Sequence, residues 1–129
     1  MKTALINAAM VGTGGFLGAL FRYGLSGLVH RQVPLSTFPW GTLTVNLAGC
    51  LCIGAVAGLA ESRQLFGPEL RLLLMIGILG GFTTFSTFGF ETFTMLRDSE
   101  YLGALGNVGA NVILGLVLVW AGYAFVASR

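Results

Sequence analysis

The sequence predicts an all-α membrane protein of four transmembrane helices, and three observations predict it: the scarcity of charge, the spacing of the charges that remain, and the abundance of glycine. Of the 129 residues only 9% are charged and 55% are hydrophobic, with a mean hydropathy of +0.85. A soluble domain carries about 25% charged residues, so lipid rather than water must solvate most of this surface. The seven basic and five acidic side chains gather in short segments and leave long uncharged runs between them. Glycine, at 20 of 129, is roughly twice its usual share, more than helices that merely fill a bilayer require.

A helix crossing the hydrocarbon needs about 20 apolar residues, and each run supplies one crossing. The first uncharged run, Thr3 to Phe21, has 19 residues and predicts a helix over Leu5–Val29. Lys2 ahead of an alanine-containing stretch resembles a signal peptide. Asn7 and several glycines interrupt that stretch, however, and it runs past the roughly 7 to 15 residues of a signal core. The following segment contains Pro34 and Pro39, neither of which can continue a helix, and the second span is expected over Gly41–Ala60. Cys50 and Cys52 lie two apart and so face different sides of that helix, which argues against a disulfide or metal pair and for small apolar filling. Pro68 followed by Glu69 fits a helix N-terminus, and the third span runs over Leu72–Leu96. After Arg97-Asp98-Ser99-Glu100, an uncharged run of 28 residues carries the fourth, Tyr101–Val126. With no repeat, linker or soluble segment left over, residues 1–129 read as a single transmembrane domain.

Four spans place both ends of the chain on one side. That side holds Lys2, Arg63, Arg71 and Arg129, and the other holds Arg22, Arg31 and Arg97. A strong excess of basic residues fixes the cytoplasmic side, so near balance predicts insertion in both orientations, which permits an antiparallel dimer. The net charge of +2 includes no basic patch able to compete for nucleic-acid phosphates.

Glycines at Gly14/Gly18, Gly54/Gly58 and Gly77/Gly81 each form a small-xxx-small pair, which lets a neighbouring backbone approach closely. So tight a bundle of four helices has little room for water, and a transport route is expected between subunits. The third span departs from ordinary membrane-helix composition. Gly80-Gly81-Phe82-Thr83-Thr84-Phe85-Ser86-Thr87-Phe88 combines glycines, costing about 1 kcal/mol each against alanine in a helix, with β-branched threonines. These residues predict a break near the bilayer midplane, with Gly80 and Gly81 as the place where the helix opens. Non-helical backbone at that depth must be buried in protein or line a hydrated cavity, where freed carbonyls ligate cations and freed N–H groups bind anions. A kinked packing helix with hydroxyls bonded to its own carbonyls is compatible with the same residues.

Asn46 in the second span, and Asn107 and Asn111 four apart on one face of the fourth, supply uncharged donors that serve equally as interhelical glue. Phe85 and Phe88 project from one side of a helix, and aromatic edges carry the positive end of the ring quadrupole. Amides, hydroxyls and ring edges together suit an anion. Arg22 is the one charge well inside a span: either a functional residue or one that snorkels to the interface. Glu91 is expected on a helix face or beside an arginine.

Three strings carry a resemblance: Gly14-Gly15-Phe-Leu-Gly18-Ala19-Leu-Phe-Arg22-Tyr23, Trp40-Gly41-Thr42-Leu43-Thr44-Val45-Asn46, and the third-span string from Gly80 to Phe88. In order and spacing the chain resembles the Fluc/CrcB fluoride channel family over all four spans, the fourth matching in its polar spacing only. The resemblance implies an antiparallel, dual-topology homodimer in the bacterial inner membrane, with two fluoride pores that confer fluoride resistance. It implies fluoride contacts at the ring edges of Phe85 and Phe88, a pore donor at Asn46, and polar surface from Ser86 and Thr87. A polar track would run through Asn107 and Asn111, and Arg22 would stand in a vestibule. It also implies a structural Na+ at the dimer centre, held by backbone carbonyls of Gly80 and Thr83 from both subunits. Two other readings fit the residues less well. A small multidrug-type exporter resembles a carrier with a glutamate in its first span, where this chain has no acid, and a non-transporting assembly subunit leaves the Thr/Ser/Phe string without a purpose. The residues offer no nucleophile with a base and no acidic metal cluster, so an enzyme is not expected.

Overall fold

The computed structural model describes residues 1–62 and 64–128; Arg63 and Arg129, counted above in the charge balance, lie outside the described residues. Four helices are long and apolar enough to cross a membrane: α1 (Lys2–Gln32), α2 (Trp40–Ser62), α3 (Pro68–Arg97) and α4 (Tyr101–Ala127). No strand occurs among the described residues. α1 is longer than its apolar stretch, because Lys2 and the terminal His30, Arg31 and Gln32 extend the helix at its two ends.

Proline ends α1, and the loop to α2 is organised by one hydroxyl. Ser36 Oγ accepts from the Phe38 N–H at 3.2 Å and from Trp40 Nε1 at 3.1 Å, while the Phe38 and Trp40 rings meet at 4.7 Å. α2 then starts with the Pro39 carbonyl accepting from Leu43 N–H.

Glycine sets which helices pair. α1 runs beside the first half of α3, and α2 beside the second half of α4. A Cβ on Gly14 would lie 2.8 Å from the Gly77 Cα, and one on Gly81 would lie 2.6 Å from the Gly15 carbonyl oxygen. Across the second seam, a Cβ on Gly54 would meet the Val119 carbonyl and one on Gly122 the Leu51 carbonyl. No side chain fits at such separations, so these glycines allow backbone-to-backbone contact, with the dispersion gain that replaces hydrophobic driving force in lipid. The pairs Gly14/Gly18 and Gly77/Gly81 face one another, and Gly54/Gly58 faces α4.

α3 leaves helical geometry two residues after its glycine pair. Gly80 remains helical at φ −64°, ψ −39°, whereas Thr83 (φ −82°, ψ 159°) and Thr84 (φ −148°, ψ 113°) are extended. Gly81 is thus a packing residue against Gly15, and the extended backbone falls on β-branched threonines, which favour that region. Thr84 caps the second half, Phe85–Arg97, accepting from Thr87 N–H through its side chain. Wider π-helical turns occupy Leu72–Leu79 in α3 and Ala110–Leu114 in α4.

Candidate functional site

The extended turn in α3 frees backbone groups, and Asn46 takes them. The Thr84 N–H donates to Asn46 Oδ1 at 2.9 Å, and Asn46 Nδ2 donates to the Thr84 carbonyl at 3.3 Å. The side-chain amide of Asn46 therefore replaces the helical ladder for both backbone polar groups of one residue, Thr84. The chain of bonds continues. Asn46 Nδ2 donates to Asn111 Oδ1, Asn111 Nδ2 to Asn107 Oδ1, and Asn107 Nδ2 to Thr92 Oγ1, each at 2.9 Å. Thr92 Oγ1 closes it by donating to the Phe88 carbonyl at 2.8 Å. Asn111 Nδ2 also donates to the Asn107 backbone carbonyl at 3.0 Å, the acceptor that its own N–H would take in an α-helix, and the π-turn of α4 lies at this point.

A cavity of about 350 Å³ lies against this chain, lined among others by Asn46, Cys50, Thr84, Phe85, Phe88 and Asn111. The Phe85 and Phe88 rings are 5.5 Å apart at 54°, Phe85 82% exposed and Phe88 only 8%. One ring forms the open lip of the cavity and the other is set into its wall. Asn107, fully buried, does not line the cavity; it orients Asn111. Ser86 and Thr87 are exposed and turn away from it toward the cap, with Thr84 Oγ1 donating to Thr87 Oγ1 at 2.9 Å.

A second cavity, of about 520 Å³, lies on the other side of Thr84 and is lined by Arg22, Ser26, His30, Thr42 and Thr87. Arg22 is half-buried and directs Nη1 toward the Thr83 carbonyl at 3.5 Å. It therefore brings positive charge to the extended turn rather than leaving for the interface. Glu91 has a hydroxyl and not an arginine for its partner: Thr42 Oγ1 donates to Glu91 Oε1 at 2.7 Å.

The Gly80 carbonyl fits the chemistry of a hard monovalent cation, whereas the Thr83 carbonyl already accepts from Arg22 Nη1. The Thr84 N–H, ordinarily the α-helical donor to the Gly80 carbonyl, is committed to Asn46, and Gly80 is exposed. Neutral oxygens released in this way by unwound helices are the usual ligands for Na+ in membrane proteins, and one chain offers too few to enclose an ion. Two features escaped the sequence reading. Thr92 looks like any helical threonine until Asn107 is seen to donate to it, and Cys50, read as filler, faces the cavity; a period of four from Asn46 to Cys50 was the available signal.

Residues 9–123 match the family model described as CrcB-like protein, Camphor Resistance (CrcB). The chain is 45% identical over 113 residues to a fluoride-specific ion channel FluC of Nitratidesulfovibrio vulgaris, covering 88% of this chain and 90% of that protein. It is 50% identical over 108 residues to the protein of that name from Geobacter sulfurreducens, covering 84% and 86%. With the Methylobacillus flagellatus protein of that name it shares 44% identity over 122 residues, 95% of each.

Proposed function

Because the chain belongs to the CrcB family, we propose that it is a fluoride-specific channel, through which F− crosses the membrane passively and cytoplasmic fluoride is lowered. It is a multi-pass membrane protein and not an enzyme. The observation that carries the reading is identity of 44 to 50% with proteins named fluoride-specific ion channels, spread over 84 to 95% of this chain.

Fluoride is small and strongly hydrated, and an unpartnered ion in a low-dielectric medium costs tens of kcal/mol. A path must replace its water with donors that bind well enough to admit the ion and weakly enough to release it. Neutral groups meet that demand. Asn46 and the Phe85 and Phe88 rings line one cavity, where the Asn46 amide, both of its N–H bonds given to the Thr84 carbonyl and Asn111, fixes the turn that carries the rings; Asn111 is held in place by Asn107, and the hydroxyls of Ser86 and Thr87 continue a polar surface past the cap. In this reading Arg22 gathers anions at the neighbouring cavity, where its field raises their local concentration.

Two chains in opposite orientations complete the assembly. The near balance of basic residues supports dual topology, the exposed apolar faces offer a surface for a second copy, and the Gly80 and Thr83 carbonyls of both chains would hold one Na+. That ion would supply fixed positive charge and satisfy carbonyls that the extended turn releases. The decisive test is purified protein in liposomes, with fluoride efflux followed by an ion-selective electrode and chloride as control. Fluoride efflux without chloride efflux is the expected result; none, or equal chloride efflux, sinks the reading.

A further inference from the structure

Both ends of the hydrogen-bond chain that passes through Asn46 lie on α3. One end is the Thr84 N–H and carbonyl, held by Asn46; the other is Thr92 Oγ1, which accepts from Asn107 Nδ2 and donates to the Phe88 carbonyl. The circuit leaves α3 at Thr84, crosses α2 at Asn46 and α4 at Asn111 and Asn107, and returns to α3 eight residues further on. Phe85 and Phe88, whose rings are 5.5 Å apart, are carried on the stretch it encloses. Thr92 itself does not line the cavity.

The direction of every bond in the circuit follows from its two ends. A hydroxyl has one proton to give, and that of Thr92 goes to the carbonyl four residues earlier in its own helix, a usual bond for a helical threonine. Its oxygen is therefore an acceptor, so Asn107 must turn Nδ2 toward it and Oδ1 toward Asn111. Asn111 then offers Oδ1 to Asn46. Asn46 takes the same polarity independently, because the Thr84 N–H can bond only to its Oδ1. Without the Thr92 hydroxyl, Asn107 Nδ2 loses its acceptor at a fully buried position. Turning the Asn107 and Asn111 amides over moves the conflict to Asn46, where two Nδ2 groups would face each other. Asn46 cannot follow while the Thr84 N–H holds its Oδ1.

We propose that Thr92 is a positioning residue for conduction: from outside the cavity it fixes the polarity of the amides, and through them the Thr84 turn and the two rings. The inference rests on the fluoride-channel reading and adds to it a residue that acts through Asn107, Asn111 and Asn46.

Fluoride efflux from liposomes at matched protein content tests it with two variants. Thr92→Val, close in shape but without the hydroxyl, lowers efflux at least severalfold, and Thr92→Ser, which keeps the hydroxyl, restores it. A spectroscopic readout separates the circuit from mere packing. Asn7, Asn46, Asn107 and Asn111 are the asparagines of the chain, so isotope-labelled asparagine gives each side-chain amide its own magnetic-resonance signal. In Thr92→Val the signals of Asn111 and Asn46, which do not touch Thr92, move together with that of Asn107, while Asn7 on α1 keeps its position. Wild-type efflux from Thr92→Val, or movement confined to Asn107, overturns the proposal and leaves the channel intact. An equal loss in Thr92→Ser also overturns it, because the methyl group is then the cause. Where Thr92→Val does not fold, Thr92→Cys decides: with a weaker donor and acceptor at the size of serine, its efflux falls below that of Thr92→Ser, and equal efflux overturns the proposal. Absence of fluoride efflux from the wild type overturns the channel reading itself and the proposal with it.

Discussion

Asn46 is the residue on which the site depends, because one side chain serves three partners. Replacing it by leucine keeps its branched shape and strands the Thr84 N–H and Asn111 Oδ1, at about 1 to 3 kcal/mol for each buried unsatisfied group. The expected outcome for Asn46→Leu is a lowered thermal midpoint in detergent and a fluoride flux reduced by more than about tenfold, since each 1.36 kcal/mol added to a barrier costs a factor of ten. Flux near wild type would remove Asn46 from the path. The two phenylalanines separate conduction from stability. Phe85→Ile acts on an 82% exposed ring and should change unfolding by no more than about 0.5 kcal/mol, so a strong loss of flux in a fully folded protein isolates the ring edge. Phe88→Ile, at a buried position, also costs about 1 to 2 kcal/mol, below the roughly 3 to 5 of truncation to alanine. Unchanged flux in both variants would refute the ring-edge assignment. At this scale the sequence revealed types and faces but not partners. The spacing of Asn107 and Asn111 places them on one face, yet only the packed neighbour decides that Asn111 reaches Asn46 and the cavity while Asn107 reaches Thr92. Glu91 likewise gave no sign that its partner would be Thr42, 49 residues away.

At the scale of elements, glycine and threonine divide the work differently from what the sequence alone implied. The small-xxx-small pairs were legible, because their spacing is local and any close seam needs it. Which helices they join was not, because that depends on how four similar apolar rods pair. The position of the extended turn was displaced toward Thr83 and Thr84 because Gly81 is committed to packing on Gly15, leaving the β-branched residues to leave the helix. Two substitutions distinguish seam glycines from idle ones. A Cβ at Gly18 would meet the Ile78 carbonyl and lie 2.7 Å from the Phe82 nitrogen, whereas Gly12 has nothing within 4 Å. Gly18→Ala should therefore lower stability by about 1 to 3 kcal/mol through overpacking, and Gly12→Ala should be neutral or raise it by up to about 1 kcal/mol. Unfolding of the detergent-solubilised protein measures both, and equal effects would contradict the seam. Thr84→Val keeps the extended preference but removes the cap on Thr87 N–H, at about 1 kcal/mol. Amide exchange should quicken over residues 85–88 and remain slow in the first half of α3, and uniform exchange in the two halves would argue against a cap.

At the scale of the whole molecule, orientation is a property of the basic residues at the helix ends, and it can be forced. Arg31 and Arg97 share one side with the α1–α2 and α3–α4 connections, and Lys2 and Arg71 share the other. Insertion bias follows Lys and Arg near the span ends and depends little on acids, so paired lysine substitutions should convert a balanced chain into a committed one. Thr3→Lys with Glu69→Lys loads the side of the N-terminus. Gln32→Lys with Asp98→Lys loads the opposite side, and the Arg97 pair it breaks is exposed and contributes little to stability. If conduction needs an antiparallel pair, each doubly substituted chain produced alone should insert in one orientation and lose fluoride efflux. Produced together, the two should restore it, because each supplies the orientation that the other lacks. Wild-type efflux from either variant alone, in membranes where cysteine labelling shows a single orientation, would exclude the antiparallel assembly.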